Sequence, residues 1–399
     1  MDMDQDRDLF ATEIKEMLRE SIMKSVTGHF SDHTDDPVYY TREAYPMRTR
    51  IENLPLFPDT IPEVVRSWAN LPDTLYEPED VLVLDLETTG LGRSGTLAFM
   101  IGLGYYEKGE FFVEQIFLPD PDAEEHSFER LQELVQSRSL LVTFNGKSFD
   151  VPVLEARLLY HQIWLDLRAM DHLDALHLAR RLWKRKLPSC ALETIEFYIL
   201  GHVRDKELDI PGGEVPQSYF SFLTTGDAEL IRRVFVHNHH DILHTAALFA
   251  LICNSCAYPP PEGRDFRIDY HALARLYQSQ GREDIARRIL VDIVASKELS
   301  ADIVFDLGIL YKRAKDIPEA LDSFQIGAAL DHSPSLLEAA KILERNKKFE
   351  LALQYSQKAL NLESGRYMIN HKHIAEISKR IERLHKKLEH LRQKSASKD

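Results

Sequence analysis

The strongest constraint on folding begins at Val81. The apolar run Val81-Leu82-Val83-Leu84 has strand length, and it leads directly into Asp85-Leu86-Glu87. Strand-like segments follow at residues 96–106 and 110–118, joined at Lys108-Gly109 as a hairpin turn. A helix is expected over residues 122–136, then another apolar strand, Leu140-Leu141-Val142-Thr143-Phe144. Asn145-Gly146 breaks that strand before a helix over residues 149–160, and a closing helix is expected from about 228 to 252 behind Gly226-Asp227. Three antiparallel strands followed by alternating helix and strand predict a mixed α/β sheet flanked by helices.

At 399 residues the chain is too long for one ordinary domain. With 44% hydrophobic and 28% charged residues it has the composition of a folded protein. Three cysteines exclude a disulfide scaffold and fit a reducing compartment. The opening Met-Asp-Met-Asp-Gln-Asp-Arg-Asp is acidic where a secretory signal is basic, and the longest apolar run, Ala246 to Cys253, is far short of a membrane span. A cytoplasmic protein with no membrane partner is therefore expected. The net charge of −15 argues against non-specific coating of nucleic acid, though it leaves room for a local patch aided by metal ions. Residues 366–399 run the other way, with ten Lys or Arg against four acids.

These shifts divide the chain into an N-terminal arm or cap (1–80), an α/β domain (81–256), a Pro-rich linker (257–265), helical repeats (266–365) and a basic helical tail (366–399). In the repeats, Leu273, Leu276, Tyr277 and Ala286 recur 34 positions later as Leu307, Leu310, Tyr311 and Ala320. A weaker third copy holds Ala352 and Tyr355. A 34-residue helix-turn-helix period resembles the tetratricopeptide repeat, which implies a surface for docking a protein partner.

The chemistry concentrates in acids. Asp85 and Glu87 stand two apart at the end of a strand, so both side chains leave one face. Two such carboxylates repel unless a cation lies between them, and hard oxygen ligands on a rigid strand suit Mg²⁺ or Mn²⁺. Asp150 follows the second apolar strand in Phe144-Asn145-Gly146-Lys147-Ser148-Phe149-Asp150. Asp241 ends Val236-His237-Asn238-His239-His240-Asp241, where helical spacing puts His237, Asp241 and His244 on one face.

Acid-x-acid after the first strand, Asn-Gly-x-x-Phe-Asp after the fourth, and a residue four before a final Asp together resemble the three-motif signature of the DEDD exonucleases. The chain is similar, more closely than to that general signature, to the bacterial YprB-like group of predicted ribonuclease H-like exonucleases. The similarity is carried by Asp85-Leu86-Glu87-Thr88-Thr89-Gly90-Leu91 with Gly95-Thr96-Leu97-Ala98-Phe99. It extends to His172-Leu173-Asp174, Arg180-Arg181-Leu182-Trp183, Asp209-Ile210-Pro211-Gly212 and His237-Asn238. It covers about residues 81–252. It implies a ribonuclease H-like mixed sheet, followed here by an all-α tetratricopeptide-like domain, and hydrolysis of phosphodiester bonds from a 3′ end by two Mg²⁺ or Mn²⁺ ions. Asp85, Glu87, Asp150 and Asp241 would be the metal ligands, and His237 would orient or deprotonate the attacking water. One departure is plain. Tyrosine stands four before the last Asp in one subgroup and histidine five before it in another, whereas here those positions hold His237 and Val236.

Thr88, Thr89 and Asn145 are candidates for contact with a single-stranded 3′ end, or equally for plain turn roles. Arg180, Arg181 and Lys184 form the most basic stretch in the middle of the chain and would lead a nucleic acid backbone to the site, with Trp183 as a core anchor beside them. Cys253 and Cys256 read as two small buried side chains. Two other readings share the sequence: a catalytically inactive ribonuclease H-like module that binds nucleic acid or acts as a scaffold through its repeats, and an endonuclease on structured or hybrid substrates. DNA and RNA are not distinguished by any single residue.

Overall fold

A computed structural model describes residues 2–90, 92, 95–259, 265–296, 300–365, 367–368 and 370–396, with only the backbone for residues 2–11 and 394–396. The expected linker residues 260–264, Leu91 of the first acidic motif, residues 297–299 of the expected repeats, and Arg366, Ile369 and residues 397–399 of the expected tail lie outside the described residues. The chain divides into two compact units, Met1–Ile268 and Asp269–Asp399.

The first unit opens with α1 (Asp2–Ser25), β1 (His29–Phe30), β2 (Tyr39–Pro46), the small hairpin β3 (Arg50–Ile51) and β4 (Leu54–Pro55), and α2 (Glu63–Ala69). Then come β5 (Val81–Thr88), β6 (Ala98–Glu107), β7 (Glu110–Phe117), α3 (Glu124–Ser137), β8 (Leu140–Thr143), α4 (Asp150–Tyr160), β9 (Asp171–Asp174) and α5 (Ala175–Trp183). The unit ends with α6 (Leu192–Ile195), a π-helical turn over Glu196–Leu200, α7 (Val215–Thr225) and the long α8 (Glu229–Cys256).

Seven strands form one sheet in the order β1-β2-β7-β6-β5-β8-β9. β5, β6 and β7 run as an antiparallel meander, while β8 and β9 pair in parallel beyond β5. Lys108 and Gly109 both have positive φ (53° and 81°), the backbone that a two-residue hairpin turn needs to match strand twist. One stretch of the N-terminal segment is more than an arm. Tyr39–Pro46 pairs along the whole of β7, and Leu18, Ile22, Val38 and Tyr39 join the main core.

The sheet is covered on both faces, which is why its central strands read as continuous apolar runs. Leu82, Leu84 and Leu86 pack in the cluster that holds Phe128 and Leu131 of α3 and Val153 and Leu154 of α4. The alternate positions of β5 face α8. There Gly102 and Gly104 of β6 leave no room for a Cβ, since one built on Gly102 would sit 2.7 Å from Asn238 Nδ2 and one on Gly104 2.7 Å from Ile242 Cγ2. Trp183 is fully buried, and its indole N–H donates to the Arg267 carbonyl at 2.8 Å.

The second unit is all helical: α9 (Tyr270–Ser279), α10 (Glu283–Ala295), α11 (Ala301–Arg313), α12 (Ile317–Ala329), α13 (Ser333–Arg345), α14 (Phe349–Ser364) and α15 (His371–Ala396). Leu276 and Leu310, separated by the 34-residue period, are both buried, as are Ala286 and Ala320. Glu344 of α13 binds Arg380, Arg383 and Lys387 of α15, so part of the basic tail is neutralised within its own unit. Among the described residues no helix is long and apolar enough to cross a membrane.

Candidate active site

The four acids converge between the end of the central strand and the middle of α8. Asp85 and Glu87 leave β5 on one face two residues apart. Asp150 is the first residue of α4, and its Oδ1 accepts the Leu86 backbone N–H at 3.1 Å, fastening the start of that helix to the strand between the other two acids. Asp241 reaches in from α8. Burial, followed by the charges of Asp241, Glu87 and Asp150, pushes the Asp85 carboxyl well above its ordinary value. Glu87 is raised in the same way by burial and by Asp241 and Asp150. Asp150 is pushed up to about 7, again chiefly by burial, with Asp174 and Asp241 adding to it and backbone N–H groups opposing it. These shifts mean that the groups lie close together, out of water, with too little positive charge among them.

Polar partners hold Asp85 and Asp241 as the Leu86 amide holds Asp150. Asn238, fully buried on α8, donates from Nδ2 to Asp85 Oδ2 at 2.9 Å, and its own Oδ1 accepts from Gln115 Nε2 at 3.0 Å. Gln115 Nε2 also reaches the Phe235 carbonyl at 2.9 Å, so strand β7 sets the rotation of the helix that carries Asp241. Gly102, which pairs with Asp85 across the sheet, is the residue that lets Asn238 approach so closely.

Arg204 stands at the far side of the group. Its guanidinium bonds both oxygens of Glu196, one oxygen of Asp241, and Asp209 at 3.4 Å. His237 Nδ1 lies 2.8 Å from both Asp209 Oδ1 and Arg204 Nη1. It can donate to the carboxylate or accept from the guanidinium, one at a time. Burial works against the cationic ring, but Asp241 and the hydrogen bond to Asp209 outweigh it and raise the His237 pKa, so the donating form is favoured. His237 Nε2 faces Asp241 Oδ2 at 3.7 Å. Glu196, although buried, is drawn down to about 2 by His244 and Arg204.

The other sequence candidates are placed less centrally. Thr88 Oγ1 donates to the Gly90 carbonyl at 2.8 Å, and Thr89 Oγ1 accepts from Leu97 N at 3.1 Å, so both hydroxyls hold the loop after β5. Asn145 takes a positive φ of 73°, and its N–H donates to Asp174 Oδ1 at 2.9 Å, a turn role. Arg181 lies over the Trp68 ring, 5.2 Å from its centroid, and Arg180 and Lys184 act electrostatically on Cys190. Among the described residues no recorded hydrogen bond or ion pair joins any of these three basic side chains to the four acids. His239 bonds Tyr45 OH at 2.7 Å, and His244 bonds Glu196 at 2.8 Å. Cys253 and Cys256 are both fully buried. The residues that sequence reasoning left without a role are Asn238, Asp209, Glu196 and Arg204. Asn238 and Asp209 lie inside noted motifs, whereas nothing local marks Glu196 or Arg204.

The donor set is all oxygen, and its negative charge exceeds what one guanidinium offsets. Buried carboxyls with raised pKa and no full complement of counter-charge match the requirements of hard divalent cations. A groove of about 590 Å³, bordered by Thr41, Arg42, Glu43, Tyr45, Gln115 and His239, contains none of the four acids.

A family model of the ribonuclease H superfamily matches residues 82–253. The uncharacterized protein YprB of Bacillus subtilis (strain 168) is 30% identical over 345 residues, covering 82% of this chain and 80% of the relative. Among solved structures, a family B DNA polymerase from the archaeon Pyrobaculum calidifontis aligns at 15% identity with a TM-score of 0.34, covering 62% of this chain, which spans 30% of that polymerase. With four-fifths of each sequence aligned and a ribonuclease H superfamily domain over its sheet, the chain belongs to the family of YprB.

Proposed function

We propose that this protein is a metal-dependent nuclease that hydrolyses nucleic acid phosphodiesters from a single-stranded 3′ end. The single observation carrying the reading is the convergence of Asp85, Glu87, Asp150 and Asp241 from three sequence contexts, with the carboxyls of the first three pushed upward by burial and by neighbouring acids. Such a cluster costs stability unless cations neutralise it. Two Mg²⁺ or Mn²⁺ ions held by these four residues would activate the attacking water and stabilise the leaving oxygen.

The chain's own residues supply positioning. Asn238 holds the Asp85 carboxylate in one rotamer, and the Leu86 amide does the same for Asp150. Asp209 holds His237 through Nδ1, which leaves Nε2 facing the Asp241 carboxylate as the atom that takes or returns the proton of the attacking water. The helical unit offers a surface for a protein partner, in keeping with its tetratricopeptide-like period.

The test is degradation of end-labelled oligonucleotides in Mg²⁺ or Mn²⁺. Wild type should shorten linear substrates and leave circular ones intact, and Asp85→Ala should lose at least 10²-fold in rate while keeping its fold. Equal rates would remove Asp85 from the site, and cutting of circles would assign an endonuclease.

One observation favours a second reading. Arg204 already bonds Asp241, so a guanidinium takes part of the charge that a metal ion would take. In an inactive nucleic acid-binding module, calorimetric titration would detect no divalent cation at the four acids; a nuclease should bind two.

A further inference from the structure

Beside the acids lies a cluster of three histidines that the nuclease reading does not use. His240 and His244 stand one turn apart on α8, the spacing that presents two imidazoles to one ion. His202 enters just after the π-helical turn. Its ring centroid is 4.4 Å from that of His244 and 5.3 Å from that of His240. Glu52, at the positive-φ tip of the β3–β4 hairpin, places Oε1 2.9 Å from His202 Nδ1. One potential ligand atom from each of Glu52, His202 and His244 lies within 4.8 Å of the others.

Two features set this cluster apart from ordinary packed histidines. The first is a surplus of lone pairs. His202 Nε2 and His240 Nδ1 are both buried without a hydrogen-bond partner, two of the few such side-chain atoms among the described residues, and the closest recorded acid to His240 Nδ1 is Asp209 at 3.7 Å. Buried polar atoms are ordinarily paired, but here neither ring is locked in place by hydrogen bonds at both nitrogens. The second is the support behind the rings. His244 donates from Nδ1 to Glu196 at 2.8 Å, which fixes its tautomer and leaves Nε2 with the lone pair. A carboxylate behind an imidazole is the arrangement that orients histidines on metals.

We propose that Glu52, His202 and His244, with a water molecule as fourth ligand, form a binding site for a borderline-soft divalent cation, with Zn²⁺ as the favoured ion. Imidazole and carboxylate donors in a set of four match tetrahedral zinc rather than the oxygen-only preference of Mg²⁺. Binding replaces the proton between His202 and Glu52, so it releases protons as it closes the site. Glu52 is the most exposed member and provides the way in. The ion would pin the β3–β4 hairpin and the segment after the π-helical turn to α8 at His244, three residues from Asp241, a structural role separate from phosphodiester hydrolysis.

Co²⁺ tests this without any nuclease assay, because four-coordinate Co²⁺ absorbs visible light strongly and a six-coordinate oxygen site does not. The full-length chain, stripped with a chelator, should develop the strong band to saturation at one equivalent of Co²⁺ and lose it on addition of Zn²⁺. His202→Gln and Glu52→Ala, checked for folding by circular dichroism, should each bind Co²⁺ at least tenfold more weakly. Glu52 lies at the surface, so its variant remains informative if His202→Gln fails to fold. Absence of the strong band in wild type, or a band of wild-type strength in either folded variant, overturns the proposal.

Discussion

At the scale of single residues, the site depends on one missing methyl group. Gly102 allows the Asn238 carboxamide to sit against the sheet and reach Asp85. Gly102→Ala would drive a Cβ into that carboxamide, with an expected loss of about 1–3 kcal/mol in urea unfolding. Asn238→Ala removes the obstacle together with the hydrogen bond and should cost a similar amount alone. The double variant should be less destabilised than the two losses combined, because the clash no longer exists; strict additivity would show that the close approach is not the cause. None of this is visible in the sequence, where Gly102 is one glycine within a strand.

At the scale of elements, Asp174 ties two of them together. It caps α5 through the Leu176 N–H at 3.1 Å and accepts from Asn145 N at 2.9 Å and Lys147 N at 3.1 Å. One carboxylate thus holds both the start of α5 and the turn that delivers Asp150. Asp174→Ala leaves three backbone donors unsatisfied and should destabilise by about 2–4 kcal/mol, while Asp174→Asn, which keeps one acceptor oxygen, should recover part of that. Chemical denaturation of the two variants measures the difference. The strands and helices on either side were legible in advance. The apolar run at Val81, the Lys108-Gly109 turn and the long closing helix carry local signals that burial reinforces. The pairing of Tyr39–Pro46 with β7 was not, because Tyr40, Thr41, Arg42 and Glu43 show no apolar alternation, and the strand forms against a ready edge.

At the scale of the whole molecule, stability and the charge of the site are linked. The folded-state pKa of Asp150 is about 7 against an ordinary 3.8, so folding favours its protonated form. That raised value stabilises nothing extra below about pH 3.8; as pH climbs from there to about 7 the folded state loses stability, and above 7 the full penalty remains. Without divalent cations, Asp150→Asn should therefore raise the stability of the protein at pH 8 by up to about 4 kcal/mol and change it little at pH 4. Mn²⁺ should raise the melting temperature of wild type more at pH 8 than at pH 5, and scanning calorimetry at the two pH values reads both effects.

The sequence alone determined the order of strands and helices from Val81 to α4 and the long closing helix, the helical nature of the C-terminal unit, and which acids deserved attention. Those features are written in spacing: alternation and run length set the elements, and an acid at a strand end announces itself locally. Only the tertiary structure decided that Arg204 and Glu196 border the acids, that Asn238 holds Asp85, and that Glu52 meets His202. These partners are 150 or more residues apart in some pairs, and no local pattern encodes a contact made when a hairpin, a π-helical turn and one long helix meet beside a sheet.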